Sequence, residues 1–179
     1  MKLTAGQTAP LFITKDIWGN TIDLSKVDNK KILLSFLRYA ECAVCQLRVS
    51  EIMRERKIFL EKNIGIIAIF QSPAENVKLN ISDKTHFDFT VIADPDRVLY
   101  NLYHVKPSWY KMIKTTNLNG IKRVIDAIKM GFKPGGKVEG YFHQIPADFI
   151  LDQNKNILVA KYGNNAIDHI PLANILEGA

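Results

Sequence analysis

The stretch that decides the fold is residues 32–47, ILLSFLRYAECAVCQL. Its first six residues are mostly apolar and have the length and composition of a buried strand. After a short polar step, apolar residues recur from Val44 onwards at the spacing of a helix. Cys42 and Cys45 lie where one pattern changes to the other, and the chain has no other cysteine. We therefore predict a strand-to-helix junction that carries a C-x-x-C pair.

The predicted position of the two cysteines suits thiol chemistry. In the first turn of a helix, unpaired backbone N–H groups and the positive end of the helix dipole stabilise a thiolate. A second thiol on the same turn is close enough to resolve a mixed disulfide. Because Cys42 is nearer to the helix N-terminus and is expected to be exposed, we predict that Cys42 attacks and Cys45 resolves. A peroxidase would reverse these roles, with Cys45 oxidised to a sulfenic acid and Cys42 condensing onto it.

Charged neighbours are expected to set how readily the thiolate forms. Glu41 adjoins Cys42 and, if ionised, opposes a second negative charge beside it. Arg38 and Arg48 are candidates to offset Glu41, the latter from one turn beyond Cys45. Each arginine suits pairing with a surface carboxylate equally well, and the sequence leaves both interpretations open.

Length and composition narrow the class of protein. The chain has 179 residues, 47% of them hydrophobic and 23% charged, which predicts one globular domain over 1–179. It has no apolar run of the roughly 18 residues that a membrane span needs. Its first residues lack the apolar segment of a secretory signal. We therefore expect a cytoplasmic protein, in which a C-x-x-C is more often catalytic than a static crosslink.

No cofactor site is predicted for metal, flavin or nucleotide. A structural zinc ion needs four ligands, and the chain has neither a second C-x-x-C nor an H-x₃₋₅-H to complete the set. A zinc half-site and a purely structural cysteine pair are therefore the weaker alternatives to a redox dithiol. A redox role without a cofactor implies that electrons come from another thiol system.

Positive charge is concentrated in one part of the chain. The formal net charge is +6, but residues 106–137 alone carry eight basic side chains and one acid, a net charge of +7. No nucleic-acid-binding motif accompanies them. The segment is expected to be either a solvated helical face or a docking surface for an anionic partner, such as a substrate or a membrane headgroup. The basic residues are Lys106, Lys111, Lys114, Lys122, Arg123, Lys129, Lys133 and Lys137.

Strand-like and helix-like segments alternate along the chain, which indicates an α/β fold with β-α-β units. Strands are predicted at 11–15, 21–24, 32–37, 64–70, 89–93, 144–151 and 157–162. Helices are predicted at about 44–62, at 73–82 with Ser72 as N-cap, from Pro107, at 120–130 and at 171–177. Another helix is predicted after the Asp94-Pro95-Asp96 turn, whose aspartates are expected to cap it. The apolar face predicted for the helix at 120–130 consists of Ile121, Val124, Ile125 and Ile128.

This order of elements, with a C-x-x-C after the first long strand, resembles a thioredoxin fold. The chain is similar to the peroxiredoxin-like branch of that fold, the alkyl hydroperoxide reductase and thiol-specific antioxidant (AhpC/TSA) family. Three stretches carry the similarity: residues 32–47, TVIADPDRVLYNLYHV at 90–105 and QIPADFILD at 144–152. The family has an ADPD-like turn before a helix ending in Tyr-x-Val, and a strand of the FIID type. The resemblance implies a central mixed sheet flanked by helices, an N-terminal β-hairpin and an inserted basic helical segment at about 106–140.

The resemblance also assigns the residues of the site, with two departures from the family pattern. The P-x-x-x-T-x-x-C motif of peroxiredoxins places its peroxidatic cysteine at Cys45, with Arg38 and Cys42 where the motif has proline and threonine. An arginine that precedes the FIID-type strand in the family falls at Pro146. Ile145-Pro146 instead matches the cis-proline that thioredoxins place against their C-x-x-C. The resemblance thus implies that Ile145 and Pro146 position a substrate chain beside the dithiol.

Three functions remain open from the sequence. The best supported is a thiol–disulfide oxidoreductase or antioxidant that cycles Cys42 and Cys45 between dithiol and disulfide. The second is a thiol peroxidase that reduces hydroperoxides through Cys45. The third is a non-catalytic redox-sensing or binding module. The expected partners are a thiol or disulfide protein, or a small hydroperoxide, together with a thiol reductant system.

Overall fold

In the computed structural model, which describes residues 1–82 and 89–177, seven strands form two sheets. The strands are β1 (Ile13–Lys15), β2 (Thr21–Asp23), β3 (Lys31–Phe36), β4 (Ile64–Phe70), β5 (Thr90–Ala93), β6 (Ala147–Asp152) and β7 (Ile157–Tyr162). β1 and β2 form an antiparallel hairpin, and the others form a mixed sheet in the order β5-β4-β3-β6-β7. The predicted α/β class, the N-terminal hairpin and the mixed sheet are confirmed.

Seven α-helices flank the mixed sheet within the described residues. They are α1 (Ala43–Arg54), α2 (Arg56–Glu61), α3 (Ala74–Val77), α4 (Val98–Leu102), α5 (Trp109–Ile113), α6 (Leu118–Lys129) and α7 (Leu172–Glu177), with a 3₁₀ turn at Leu24–Lys26 and a π turn at Lys78–Ser82. The helix predicted at 44–62 is divided between α1 and α2. Glu55 separates them because its backbone (φ −91°, ψ 4°) leaves the helical region.

The central strand of the mixed sheet is β3. It runs parallel to β4, antiparallel to β6, and is buried along nearly its whole length. One face of the sheet packs Phe36 and Phe149 against Tyr100 and Tyr103, at ring-centroid distances of 5.2–5.9 Å. The other face packs against α1, α2 and α7. Because both faces of the sheet are buried, the sequences of β3 and β4 are nearly continuous apolar runs and do not alternate between apolar and polar residues.

The carboxyl ends of β3, β4 and β5 are fixed by polar side chains. The Tyr100 hydroxyl donates to the carbonyls of Leu37 (2.7 Å) and Ile69 (3.0 Å), which joins the end of β3 to β4. Asp94, directly after β5, accepts from the N–H groups of Val98 and Leu99 at 2.8–2.9 Å. The predicted helix cap at the ADPD turn is therefore confirmed at Asp94.

Ser72 has a different role from the predicted one. Pro73 occupies the N-cap position of α3 without a side-chain cap, because its ring has no donor or acceptor to offer. The Ser72 hydroxyl is fully buried and accepts the N–H of Ala40 at 2.8 Å. The serine therefore holds the loop between β3 and α1, and the prediction that it caps α3 is wrong.

The basic insert forms two helices. Ser108, not Pro107, is the N-cap of α5, and its hydroxyl accepts the N–H of Lys111. The side chain of Asn117 caps α6 in the same way. Among the described residues, no helix is long and apolar enough to cross a bilayer.

A buried ion-pair network joins β6 to α1 and to the segment before α7. The Asp148 carboxylate accepts from the Ser35 hydroxyl and the Ile170 N–H, each at 2.7 Å, and lies 3.0 Å from His169 Nδ1. Arg48 lies 3.7 Å from the same carboxylate and donates to the Ile170 carbonyl at 2.8 Å. Burial favours a raised pKa for Asp148, but His169, Arg48 and Ser35 hold that pKa well below its ordinary value.

The network predicts how stability depends on pH. Because the pKa of Asp148 is lower in the folded state, its stabilisation is present above the unfolded value of about 3.9 and is lost as pH falls. Asp148→Asn should lower the free energy of unfolding at pH 7 by about 3–5 kcal/mol, since Arg48 would stay buried without its carboxylate. Urea titrations from neutral to acidic pH should show that the difference in free energy of unfolding between wild type and Asp148→Asn becomes smaller below about pH 4. Asp96→Asn, at an exposed position, is the control. A difference in free energy of unfolding between wild type and Asp148→Asn that does not change with pH would contradict this account.

Candidate redox site

The two cysteines lie at the junction between β3 and α1. Cys42 is the N-cap residue of α1, and its carbonyl accepts the N–H groups of Cys45 (2.9 Å) and Gln46 (3.0 Å). Cys45 is in the first turn. This is the strand-to-helix junction predicted from residues 32–47, and it places both sulfurs at the positive end of the helix.

The sulfur atoms form a hydrogen-bonded pair of free thiols. Cys45 Sγ donates to Cys42 Sγ at 2.9 Å. Burial by itself opposes ionisation of Cys42, but this hydrogen bond, the charge of Arg38 and two backbone N–H groups lower its pKa to about 6. Burial raises the pKa of Cys45 well above its ordinary value, and so do the hydrogen bond to Cys42 and the negative charge there. The opposite directions of the two shifts favour a thiolate at Cys42 and a thiol at Cys45.

Arg38 is the cation of the site. Its Nη1 lies 3.5 Å from Cys42 Sγ, and its Nη2 donates to the Phe142 carbonyl at 2.6 Å. The guanidinium also lies over the rings of Tyr39 and Phe142, 5.0 and 5.2 Å from their centroids. Arg38 was predicted to lie either beside the thiolate or against a surface carboxylate. The structure shows the contact with Cys42.

Arg48 does not contact the dithiol. Its partners are Asp148 and the carbonyl of Ile170, as described above, and both are buried. The side chain therefore serves the network beneath α1 instead of the thiolate or a surface carboxylate, and both interpretations offered for Arg48 were wrong. The physical reason is the position of Arg48 on the face of α1 that packs on the sheet, where only a buried acid can balance its charge.

Cys42 is buried, which corrects the expectation that it is exposed. The exposed fraction of the residue is 4%, against 2% for Cys45. Residues 136–142, here called the strap, pass across the start of α1. The N–H of Lys137 donates to the Glu41 carboxylate at 2.9 Å, and Gly136 lies so close to Glu41 that a β-carbon would overlap it. The strap was not foreseeable from local pattern, because Lys137 follows Glu41 by 96 residues in the chain.

Ile145-Pro146 differs in one respect from what the resemblance implied. All peptide bonds of the described residues are trans, so the cis-proline expectation is wrong. The Pro146 carbonyl accepts the N–H of Gly163 at 2.9 Å, which continues the pairing of β6 with β7 and keeps the chain extended. Pro146 and the buried Ile145 line a cavity of about 310 Å³ that neither cysteine lines.

A polar network that the sequence analysis missed supports the site. Arg97 Nη1 donates to the side-chain carbonyls of Gln71 (2.9 Å) and Gln144 (2.8 Å). Gln71 in turn donates its backbone N–H to the Arg38 carbonyl (3.0 Å) and its side-chain NH₂ to the carbonyl of Tyr141 in the strap (2.8 Å). The signal in the sequence was the position of Gln71 directly after β4 and of Arg97 in the turn that follows β5, at the edge where parallel strands end.

The fold and the dithiol together define the class of protein. A dithiol at the start of the helix that follows the central strand of a mixed sheet belongs to a thiol redox protein of the thioredoxin fold. A model described as the AhpC/TSA family matches residues 5–160. The chain therefore belongs to the AhpC/TSA family, and the resemblance noted in the sequence is confirmed.

Known relatives agree on the fold and on thiol redox chemistry. A Mycobacterium tuberculosis protein named "Putative peroxiredoxin" is 24% identical over 170 residues, which cover 94% of this chain and 91% of the relative. The thiol-disulfide oxidoreductase ResA of Bacillus subtilis is 26% identical over 105 residues, 59% of this chain and 58% of ResA. The crystal structure of peroxidoxin BcpB from M. tuberculosis superposes with a TM-score of 0.67 at 17% identity, covering 93% of this chain and 90% of that one.

The charge of Arg38 should be measurable in the ionisation of Cys42. Thiolate absorbance at 240 nm should rise through a transition near pH 6 in the reduced protein. In Arg38→Met this transition should move upward by roughly 1–3 pH units, because the cation beside the sulfur is lost. Arg54→Gln, an exposed position near the end of α1, should leave it unchanged. A transition near pH 6 that persists in Cys42→Ser would show that the thiolate belongs to Cys45.

Proposed function

We propose that the protein is a thiol–disulfide oxidoreductase in which Cys42 is the nucleophile. The Cys42 thiolate attacks one sulfur of a substrate disulfide, the substrate S–S bond breaks, and the departing thiolate takes a proton. Cys45 then loses its proton and attacks the Cys42 sulfur of the mixed disulfide, which releases the second substrate thiol. The Cys42–Cys45 disulfide that results is reduced by two electrons from an external thiol reductant, and one proton returns to Cys45 to restore the thiolate and thiol pair.

One observation carries this proposal: the two sulfurs, 2.9 Å apart, have pKa values displaced in opposite directions. An attacking thiol reacts best when its pKa is near ambient pH, and the pKa of about 6 at Cys42 meets that condition. Cys45 keeps its proton until a mixed disulfide has formed, since its raised pKa depends partly on the negative charge of Cys42. When Cys42 forms the mixed disulfide it loses its negative charge, so the pKa of Cys45 falls and Cys45 ionises more easily. Attack by Cys42 therefore precedes attack by Cys45.

We expect a substrate to reach Cys42 from the side on which the strap lies. The strap contacts Glu41 and Arg38, on the N-terminal side of Cys42, through one hydrogen bond each. A protein disulfide is too large to reach a cysteine that is 4% exposed unless neighbouring residues move, and we expect the strap to be the segment that moves. We expect the substrate backbone to replace the strap beside Arg38, whose guanidinium would then keep its place at the reacting sulfur.

The expected partners follow from this chemistry. The likeness to a thiol-disulfide oxidoreductase supports a thiol or disulfide substrate, and a second thiol system must supply the electrons. A reducing compartment such as the cytoplasm would keep the dithiol reduced between turnovers. The basic insert offers a separate surface for an anionic partner, because its positive charge is not neutralised within the segment.

Peroxide reduction is the second candidate, and the burial of the sulfurs favours it. A small hydroperoxide can reach a closed site more easily than a protein disulfide can, and relatives named as peroxiredoxins support this substrate. The Cys42 thiolate would cleave the O–O bond, giving a sulfenic acid and an alcohol or water. The Cys45 thiol would then condense with the sulfenic acid to form the disulfide and water. The site geometry thus favours Cys42, in place of the predicted Cys45, as the residue that peroxide oxidises.

Single-cysteine variants distinguish the reactions. Pre-reduced wild type, Cys42→Ser and Cys45→Ser would each be mixed with a protein disulfide and, separately, with hydrogen peroxide in a stopped-flow instrument. We expect Cys45→Ser to accumulate a mixed disulfide through Cys42 and Cys42→Ser to be inert, because only Cys42 is ionised at neutral pH. Peroxide should react with wild type no faster than with a free thiol.

Two outcomes would overturn the proposal. Rapid peroxide consumption by Cys42→Ser, with a sulfenic acid at Cys45, would identify a peroxidase with the roles of the cysteines reversed. A disulfide that forms once but is not turned over by any thiol reductant would identify a redox-sensing module. Rapid peroxide consumption through Cys42 would favour the second candidate.

A further inference from the structure

The helix α6 has an apolar stripe that faces solvent. Its members are exposed by 44% to 85%, although their spacing is that of a core-facing helix surface. At 3.6 residues per turn they occupy an arc of about 80° on one side of the helix. The stripe consists of Leu118, Ile121, Ile125 and Ile128.

A different face of α6 holds the helix to the protein. Ala127 packs on Leu47 and Ala43 at the start of α1, and Arg123 forms a two-armed ion pair with Glu51. The small inward side chain lets α6 lie close to α1 without using the stripe. The apolar stripe is therefore not required for packing within the described residues, and its exposure calls for another explanation.

Lysines border the stripe. Lys122 and Lys129 lie within about 40° of its edge on the helix surface, both exposed. The insert around them carries a net charge of +7 over residues 106–137. An apolar stripe with lysines along its margin is the pattern of helices that lie in the plane of a membrane interface, with the apolar side chains among the acyl chains and the ammonium groups at the headgroups.

We propose that the stripe of α6 binds the surface of an anionic phospholipid bilayer. The helix lies flat, the stripe enters the boundary between headgroups and acyl chains, and the lysines contact lipid phosphates. The insert also exposes Trp109, by 59%, and an indole ring prefers this interfacial depth. Trp109 stacks on His143 at 4.2 Å and lies beside Phe142 of the strap, whose carbonyl accepts from Arg38.

The charge and shape of the stripe argue against other occupants. A second copy of the chain would bring an equally basic insert against this one, and like charges repel. An acidic helical peptide would need an apolar groove, whereas the stripe is the convex ridge of a single helix. A planar anionic surface complements both the ridge and its charge.

Vesicle sedimentation tests the proposal on the full chain. Partition would be measured onto vesicles of phosphatidylcholine alone and of phosphatidylcholine with phosphatidylglycerol, at low and high salt. We expect binding to the anionic vesicles at least tenfold stronger than to the neutral ones, and much weaker at high salt. Ile121→Gln/Ile125→Gln should reduce it by about tenfold or more, because the apolar contribution is lost. Lys122→Gln/Lys129→Gln, at exposed positions that cannot affect the core, should reduce it as well.

Controls separate this inference from the redox proposal. Leu60→Gln, at an exposed leucine on α2, should bind vesicles like wild type, and so should Cys42→Ser. Disulfide exchange should be unchanged in both double variants when no vesicles are present. Failure to bind anionic vesicles at low salt would overturn the inference, and so would equal binding by the double isoleucine variant. A dimer in solution that this variant dissociates would show that a second copy is the occupant, which also overturns it.

Discussion

The hydrogen bond from the Cys45 thiol to the Cys42 sulfur is the interaction on which the rest of the site depends. A buried thiolate is costly, and burial alone would keep both cysteines protonated. At Cys42 this cost is outweighed, and the pKa is lowered to about 6. The contacts that lower it are the Cys45 hydrogen bond, the charge of Arg38 and the N–H groups at the start of α1. Each of these depends on the relative positions of the sulfurs and the guanidinium.

Contacts at the carboxyl end of the sheet hold the segments that carry these groups in position. Tyr100 ties β3 to β4 directly below the site, and Ser72 fixes the loop that leads into α1. Arg97 is held in a left-handed backbone conformation (φ 60°), from which its side chain connects β4 to the segment before β6. A conformation that costs free energy persists where surrounding contacts determine it, and it is often found at functional sites. Here it places Gln71 against both Arg38 and the strap.

What the sequence predicted well was local. The strand at 64–70 is present with the predicted ends, because its apolar run is long and is bounded by turn residues on one side. The junction at the cysteines and the cap at Asp94 were also predicted, since each depends on neighbours within a few residues. The errors came from contacts across the chain. The strap binds Glu41 from 96 residues away, Ser72 holds the loop after β3, and Arg48 pairs with Asp148, about 100 residues away. The helical period of α6 was correct, but periodicity does not say which face meets the protein.

The central claim is that Cys42, not Cys45, is the thiolate of the reduced protein. The most direct measurement is mass spectrometry after brief treatment of the reduced protein with less than one equivalent of iodoacetamide at pH 7. The pKa of about 6 at Cys42 and the raised pKa of Cys45 predict that the label is found almost entirely on Cys42. Labelling mainly on Cys45, or equally on both, would contradict the account.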